Sequence, residues 1–539
     1  MSIRKRNIIF CFFILILLSI EVLSIQKNTL TFDEIWHFSY GVKVLELNPS
    51  RILLYHDTAL PFSCLNAAFY KTYCFIYRLL NPKNYSNVIN RIEQGKIATI
   101  ILSLILGAVV FIWSEKLYGT KSGLFSLFLF VFCPNIIAHS RLITSDLFVA
   151  LMVTVSLYSF WQYRDQGSQQ ITLPKFKSAF YLGLSQLTKY SSLFLYPIFI
   201  IILLIQENKA LNSNKLKSFL KTSFFYLLIS LIVINIGFFF YQSFTFFGNY
   251  QLKSALFKNL SNSVPLLKYI PVPLPYPYLQ GIDLLIAHSK PGITCGNNYL
   301  FGEIRSDKGF MGYFFVCFLF KVPISTQIFI IWALIFYLKN INQFNFKKNE
   351  IFLIIPVIFY NIYFNFFTDK QIGFRYILMT LPLLYIFCGI LLKGGIIRAQ
   401  GWDIPKWGGK KVIMLCLCLY LVISVLSYFP HYISYFNELV YDRKMAYKIL
   451  SDSNINWGQS CWYLIEYLKT HPDAVFEPEK PTTGHIVVSI IKLTGVAESE
   501  RFKWLRENFK PVDHIAYSYL VFDISDTDLK DLKIQRLKD

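Results

Sequence analysis

The chain has 539 residues, of which 54% are hydrophobic, 18% aromatic and only 16% charged, with a formal net charge of +21. A soluble globular domain carries about 25% charged residues, and a disordered chain needs high charge with few aromatics, so both are excluded and a multi-pass membrane protein is implied. The basic excess would suggest nucleic acid in a soluble chain; here the lysines fall in short loops between apolar runs, which is how membrane topology is encoded.

The first apolar run, Ile8 to Leu23, follows Arg4, Lys5 and Arg6. It lacks a small-residue cleavage site and many more runs follow, so it reads as a retained first helix rather than a signal peptide. Further runs are Ile97 to Trp113, Leu124 to Ala138, Leu147 to Trp161, Phe180 to Ile205, Phe224 to Tyr241, Phe310 to Leu338, Ile351 to Phe367, Tyr376 to Leu392 and Val412 to Phe429. A crossing helix needs about 20 residues, so the Phe180 to Ile205 run, with Lys189 midway, is expected to break there into two short helices, giving about eleven spans.

With a cytoplasmic N-terminus, the inner loops collect Lys116 and Lys121, then Arg164, Lys175 and Lys177, then Lys209, Lys215, Lys217 and Lys221, and later Lys339, Lys347, Lys348, Lys393, Arg398, Lys406, Lys410 and Lys411. The short outer connections hold only Arg141, Lys189, Lys370 and Arg375. That asymmetry predicts an odd number of spans and an extracytoplasmic C-terminus. Segments 27–95 and 243–309, the latter containing PVPLPYPY, then face outward. The chain divides into a transmembrane domain, 1–430, and an outer C-terminal domain, 431–539. The latter has strand-like runs at 486–491 and 515–522 between helical patterns, as in a small α/β module. The ten cysteines form no C-x-x-C pair, and Cys416 and Cys418 fall on different faces of a helix, so there is no metal or disulfide signature.

Residues able to carry chemistry cluster on the outer side. In TFDEIWHFSYG, Asp33 and His37 are four apart and Glu34 and His37 three apart, so one helical face presents two carboxylates and an imidazole. Such acids suit general-base work, though Asp33 would also serve as a helix N-cap with Glu34 in solvent. AHSRLITSD places His139, Arg141 and Asp146 at the next outer junction, where Thr144, Ser145 and Asp146 would equally suit a helix start. Lys189 in LTKYSS, Lys321 in LFKVP and Arg375 in IGFRY lie in or beside apolar runs, where an unpaired charge costs ~2.5 to 3.5 kcal/mol. Lys189 and Arg375 fall at outer helix ends, where a lysine point charge and an arginine fork can hold a lipid phosphate.

The order of motifs, DE-x-x-H after the first span, AHSR-x-x-T-x-D, LTKYS at a helix break, NYLFGEI, G-F-x-x-Y-F, FKVP, G-x-RY, YFPHYISYFNEL and DSNINWGQS, resembles the family 39 glycosyltransferases. These include protein O-mannosyltransferases and bacterial transferases that add aminoarabinose to lipid A, all using polyprenyl-phosphate-linked sugars. The resemblance covers nearly the whole chain and implies an α-helical multi-pass fold of the GT-C type. It implies a catalytic acid at Asp33 with Glu34 beside it, a second-loop acid at Asp146, and donor-phosphate cations at Lys189 and Arg375. His37, Arg141, Glu303 and Lys321 are candidates for substrate contacts. Where many relatives have a His-Pro-Pro or Lys-Met-Pro type segment, this chain reads YHDTALPF, so no role is lent to His56 or Asp57.

A sugar on a polyprenyl phosphate already has a good leaving group, so the protein must deprotonate the acceptor and neutralise the departing phosphate; a carboxylate with cations is the minimal set. With no second nucleophile at suitable spacing, a single inverting displacement is expected. The acceptor would be a protein or a lipid or glycan, and the setting an inner (cytoplasmic) membrane with transfer on its outer face. The residues neither require nor exclude a divalent metal beside Asp33 and Asp146, and no other cofactor is indicated. Two rival readings are a transporter of an anionic solute, against which stand the long outer loops and the lack of an inverted repeat, and a lipid-linked glycan polymerase or ligase, against which stands the DE pair directly after the first span.

Overall fold

A computed structural model describes residues 1–25, 27–51, 60–81, 92–165, 172–207, 213–290, 296–393 and 408–531. The first helix, α1 (Ile3–Ile25), is followed by α2 (Phe32–Leu45) and α3 (Cys64–Leu80), then by α4 (Lys96–Tyr118), α5 (Thr120–Val131), α6 (Pro134–Ser140) and α7 (Ser145–Asp165). The chain continues through α8 (Thr172–Ser185), α9 (Leu195–Glu207), α10 (Ser213–Gly237), α11 (Ala255–Ser263) and α12 (Tyr276–Ala287). After a short hairpin, β1 (Asn298–Leu300) with β2 (Glu303–Arg305), come α13 (Tyr313–Lys321), α14 (Ile324–Lys339), α15 (Ile351–Phe366), α16 (Thr380–Cys388) and α17 (Gly408–Leu426).

Among the described residues, three helical stretches are long and apolar enough to cross a membrane alone, Ile3–Ile25, Ile92–Tyr118 and Phe219–Gly237, and two bent pairs would raise the number to five. Other expected runs fold as apolar helices of 10–17 residues, at Tyr190–Gln206, Ile351–Phe366, Thr380–Leu392 and Lys411–Leu426. Apolar runs here are interrupted more often than their hydropathy implies, and the interruptions bend the chain where side chains are needed.

Two bends have a proline cause. Between α5 and α6 the axis turns by 65° at Cys133-Pro134, and between α13 and α14 by 112° at Val322-Pro323. Proline has no N–H to continue a helix and pushes the preceding residue out of the helical region; Cys133 (φ −98°, ψ 111°) and Val322 (φ −97°, ψ 132°) are extended accordingly. The Phe310 to Leu338 run, expected as a single apolar stretch, is therefore two helices. The carbonyls freed at the second bend are taken up by side chains: Gln327 Nε2 and Asn437 Nδ2 both donate to Leu319 and Val322 oxygens at 2.6 to 2.8 Å.

The break at Lys189 is present as expected. Lys189 is extended (φ −158°, ψ 144°), and the loose ends are held by Gln186 Nε2, donating to Leu182 O and Ser192 O, and by Thr188 Oγ1, donating to Ser185 O.

The C-terminal region opens with α18 (Cys461–Thr470) and holds a four-stranded sheet of β3 (Val475–Phe476), β4 (Gly484–Ser489), β5 (Asp513–Ile515) and β6 (Tyr519–Ile524), in spatial order β3-β4-β6-β5. The β3 and β4 strands are parallel, and the other pairs antiparallel. The expected strand at 515–522 is interrupted by a corner: Ala516 and Tyr517 have φ of 49° and 57°, so the chain reverses between β5 and β6, and 519–522 lie in β6. Segment 431–460 runs from this region back over the helices. Its backbone meets the α1–α2 connection through Thr29 N to Gln459 O (2.9 Å), Phe32 N to Trp457 O (3.1 Å) and Thr29 Oγ1 to Gly458 O (2.6 Å).

Candidate active site

Asp33 and Glu34 part company at the first turn of α2. Thr31 is the N-cap residue, and its N–H donates to Glu34 Oε2 at 2.7 Å, the reach-back of a capping box. This turns Glu34 inward, fully buried, where Oε1 accepts from Ile143 N (3.0 Å) and lies 3.3 Å from Lys96 Nζ. Asp33, one residue earlier, turns outward with its side chain 40% exposed, and Oδ2 accepts from Arg375 Nη1 at 2.9 Å. The cap is thus made by Thr31 with a buried Glu34, not by Asp33 with a solvated one.

The second acid enters from α7. Asp146 is buried, and Oδ1 accepts from Lys189 Nζ at 2.7 Å. Its other oxygen makes no hydrogen bond and faces His139 Nδ1 at 3.8 Å, which also lacks a hydrogen-bond partner. Proline-directed bending of α5 into α6 brings His139 here, and the helix break brings Lys189. The two ion pairs form one constellation, since Arg375 is within electrostatic reach of both Asp33 and Asp146. Burial opposes the Arg375 charge, but the two carboxylates outweigh it and hold the guanidinium firmly protonated. Its Nε is buried without a hydrogen bond. Buried polar groups are nearly always paired, so the unpaired Arg375 Nε, Asp146 Oδ2 and His139 Nδ1 single out these two ion pairs as the candidate site.

DSNINWGQS packs beside the site. Asn454 Oδ1 accepts from Phe374 N (3.0 Å), while Nδ2 donates to Tyr313 Oη (2.9 Å) and Ser451 O (3.0 Å). This clamps the turn carrying Arg375. The clamp needs Gly373: φ is 119°, and a Cβ there would lie 2.5 Å from Ser453 Oγ. The Arg375 guanidinium sits 4.1 Å over the Trp457 ring, and Lys189 Nζ 5.1 Å over Tyr376, so both cations rest on aromatic faces. Asp452 has a left-handed backbone (φ 58°), and burial pushes its carboxyl up to about 6, with Arg375 pulling the other way.

The remaining candidates make other contacts. His37 is buried with its ring 5.4 Å from that of Phe62. Lys321 donates to Ile433 O (2.7 Å) and Asn454 O (2.6 Å), so it braces DSNINWGQS. Arg141 is buried, donates from Nη1 to Ser24 O (3.1 Å) and lies over Tyr432; its Nε and Nη2 make no hydrogen bond and border a small cavity lined also by Lys96, Asn28 and Gln459. Glu303 is exposed and paired with Arg305 at 2.6 Å. His56 and Asp57 lie outside the described residues. Among the described residues no three His, Cys, Asp or Glu side chains are grouped to hold a metal ion.

Sequence reasoning passed over Lys96, Asp452, Asn454 and Trp457. The last three lie in DSNINWGQS, to which no role was attached, and their signal was the density of Asn, Trp, Gly and Gln in so polar a stretch. Lys96 gave none, since a lysine at a helix start ordinarily reads as an interfacial anchor.

Residues 88–238, which include His139, Asp146 and Lys189, match the family model described as dolichyl-phosphate-mannose-protein mannosyltransferase. No curated protein matches the sequence. Among solved structures, the apo oligosaccharyltransferase of Archaeoglobus fulgidus is similar over 87% of this chain and 60% of its own, with a TM-score of 0.50 and 14% identity. ArnT from Cupriavidus metallidurans bound to undecaprenyl phosphate is similar over 96% of this chain and 98% of its own, at TM-score 0.47 and 11% identity. The fold is that of the GT-C membrane glycosyltransferases, α-helical and multi-pass with a small C-terminal sheet region.

Proposed function

From that fold, we propose that the chain moves a sugar from a polyprenyl-phosphate donor to a protein or to a lipid or glycan acceptor, on the extracytoplasmic face of the membrane. Arg375 and Lys189 are the donor-phosphate ligands, Asp33 is the base, and Asp146 holds Lys189. Support comes from the family that residues 88–238 match, whose members are described as taking mannose from a dolichyl phosphate. It comes chiefly from one observation: the Asp33–Arg375 pair, in which the proposed base and the proposed phosphate ligand occupy each other.

That pairing suggests an order of events. With no donor, Arg375 is held by Asp33, and neither is free. A phosphodiester entering the site offers the guanidinium a second anion, in a bidentate geometry and with Nε as an additional donor. Released from Arg375, Asp33 can accept the proton of an acceptor hydroxyl as that oxygen attacks the anomeric carbon. The bond to the phosphate oxygen breaks, and the new charge on the lipid phosphate is met by Arg375 and Lys189. One displacement of this kind inverts the anomeric centre.

The test is transfer by the purified chain in lipid vesicles, supplied with polyprenyl-phosphate sugars and cell-envelope acceptors, together with mass spectrometry of glycoconjugates from cells with and without it. Transfer that requires the lipid-linked donor supports the reading. An unchanged glycan profile alongside altered uptake of an anionic solute would favour a carrier.

A further inference from the structure

The connection between α10 and α12 has a face that nothing in the described residues covers. In α11, Leu256 and Leu260 are four apart and continue to Val264, all exposed, and Leu266 and Tyr269 beyond them are 71% and 76% exposed. Phe239, Phe240, Phe244 and Phe246, which leave α10, are exposed as well. The element is nonetheless well anchored on its other side. Ser254 Oγ accepts from Phe257 N, and the buried Asp283 of α12 accepts from Lys253 N (2.6 Å), Ser254 N (2.9 Å) and Ser254 Oγ (2.6 Å). Phe257 packs with Phe247, Tyr250 and Leu279 beneath. An anchored element with an apolar outer face implies a partner rather than fraying.

Charge identifies the partner. Between Glu207 and Asp283 the sequence contains no acidic residue, while Lys253, Lys258 and Lys268 are exposed around the apolar face. Apolar and aromatic side chains bordered by lysines match the boundary between acyl chains and anionic headgroups. Position agrees: the segment leaves a membrane-length helix at Gly237, which packs against Leu187, two residues from Lys189. We propose that α11 and its flanking turns dock in the headgroup layer of an anionic lipid leaflet, at the depth of the Lys189–Asp146 pair. The contact also reaches the site. Arg51 Nε donates to Pro277 O at the start of α12 (3.1 Å) and Nη2 to Tyr190 Oη (2.7 Å), and Tyr190 adjoins Lys189.

The experiment is amide hydrogen exchange of residues 254–270 in the full chain, held in nanodiscs of phosphatidylcholine alone or mixed with phosphatidylglycerol. Each interfacial lysine is worth roughly a fivefold gain in anionic-lipid affinity, so three should slow exchange by about tenfold or more in the anionic discs. The triple variant Lys253→Gln, Lys258→Gln, Lys268→Gln should abolish that difference. The double variant Leu256→Ser, Leu260→Ser should remove protection in both lipids, with an unchanged melting temperature showing that the chain is folded. Equal exchange in the two lipids, or protection that arises only when a soluble protein is added, would overturn the proposal.

Discussion

Two ion pairs begin one residue apart in the sequence and serve opposite ends. Glu34 with Lys96 is wholly buried, and both carboxylate oxygens are occupied, by Lys96, Ile143 N and Thr31 N. Asp33 with Arg375 is a half-open pair with an unused Arg375 Nε and an aromatic floor. The first joins α2 to the loop that carries Arg141 and leads to Asp146, fixing one acid's surroundings relative to the other. The second is satisfied only provisionally and can exchange partners. On the proposed function, spent hydrogen-bonding capacity separates scaffold from chemistry here better than burial or charge does.

Breaking the scaffold pair should have the largest effect. Lys96→Met leaves Glu34 charged and uncompensated in the interior, at about 3–5 kcal/mol, enough to depress folded yield and melting temperature severely. Adding Glu34→Gln to it should restore part of that stability, as read by a double-mutant cycle on the purified variants. If Lys96→Met melts like the parent, the pair is not structural.

Asp33→Asn sharpens the contrast from the other side. Stability should change by no more than about 1 kcal/mol, because the side chain is partly exposed and its cap role belongs to Thr31, whereas transfer should fall roughly 10²–10⁴-fold. Near-normal transfer would remove Asp33 from the mechanism.

Arg375→Lys keeps a charge but loses the fork, so the donor KM should rise about tenfold while some turnover survives. An unchanged donor dependence would count against the phosphate role.

The effect that varies with pH concerns Asp452. Its folded-state pKa of about 6 is raised above the ordinary carboxylate value, so the folded protein holds that proton more tightly. The associated stability is present below about pH 4 and is lost as pH rises through about 6. Asp452→Asn, which tolerates the left-handed backbone, should be level with the parent near pH 4 and more stable by up to about 3 kcal/mol at pH 7.5. A difference that does not vary with pH would refute it.

Much of this architecture was legible in the sequence. The run around Lys189 was too long for one span and carried a charge midway, and it breaks there. The run from Phe310 to Leu338 looked continuous because hydropathy does not register what Pro323 does to Val322. The four charges of the site were each visible as an acid at an outer junction or a cation at a helix end. Their pairing was not: Asp33 and Arg375 are 342 positions apart, and only the packed fold joins them. The different fates of Asp33 and Glu34 were equally hidden, because the capping box depends on Thr31, and Lys96 is apparent as a partner only once α4 is packed.

Whether Arg375 leaves Asp33 for the donor phosphate can be read from the binding of sugar-free polyprenyl phosphate to the parent, Asp33→Asn and Arg375→Ala. With the competing carboxylate neutralised, Asp33→Asn should bind the lipid phosphate more tightly than the parent while transferring sugar far more slowly, and Arg375→Ala should bind at least about tenfold more weakly. Weaker binding by Asp33→Asn, or parental affinity in Arg375→Ala, would contradict the exchange.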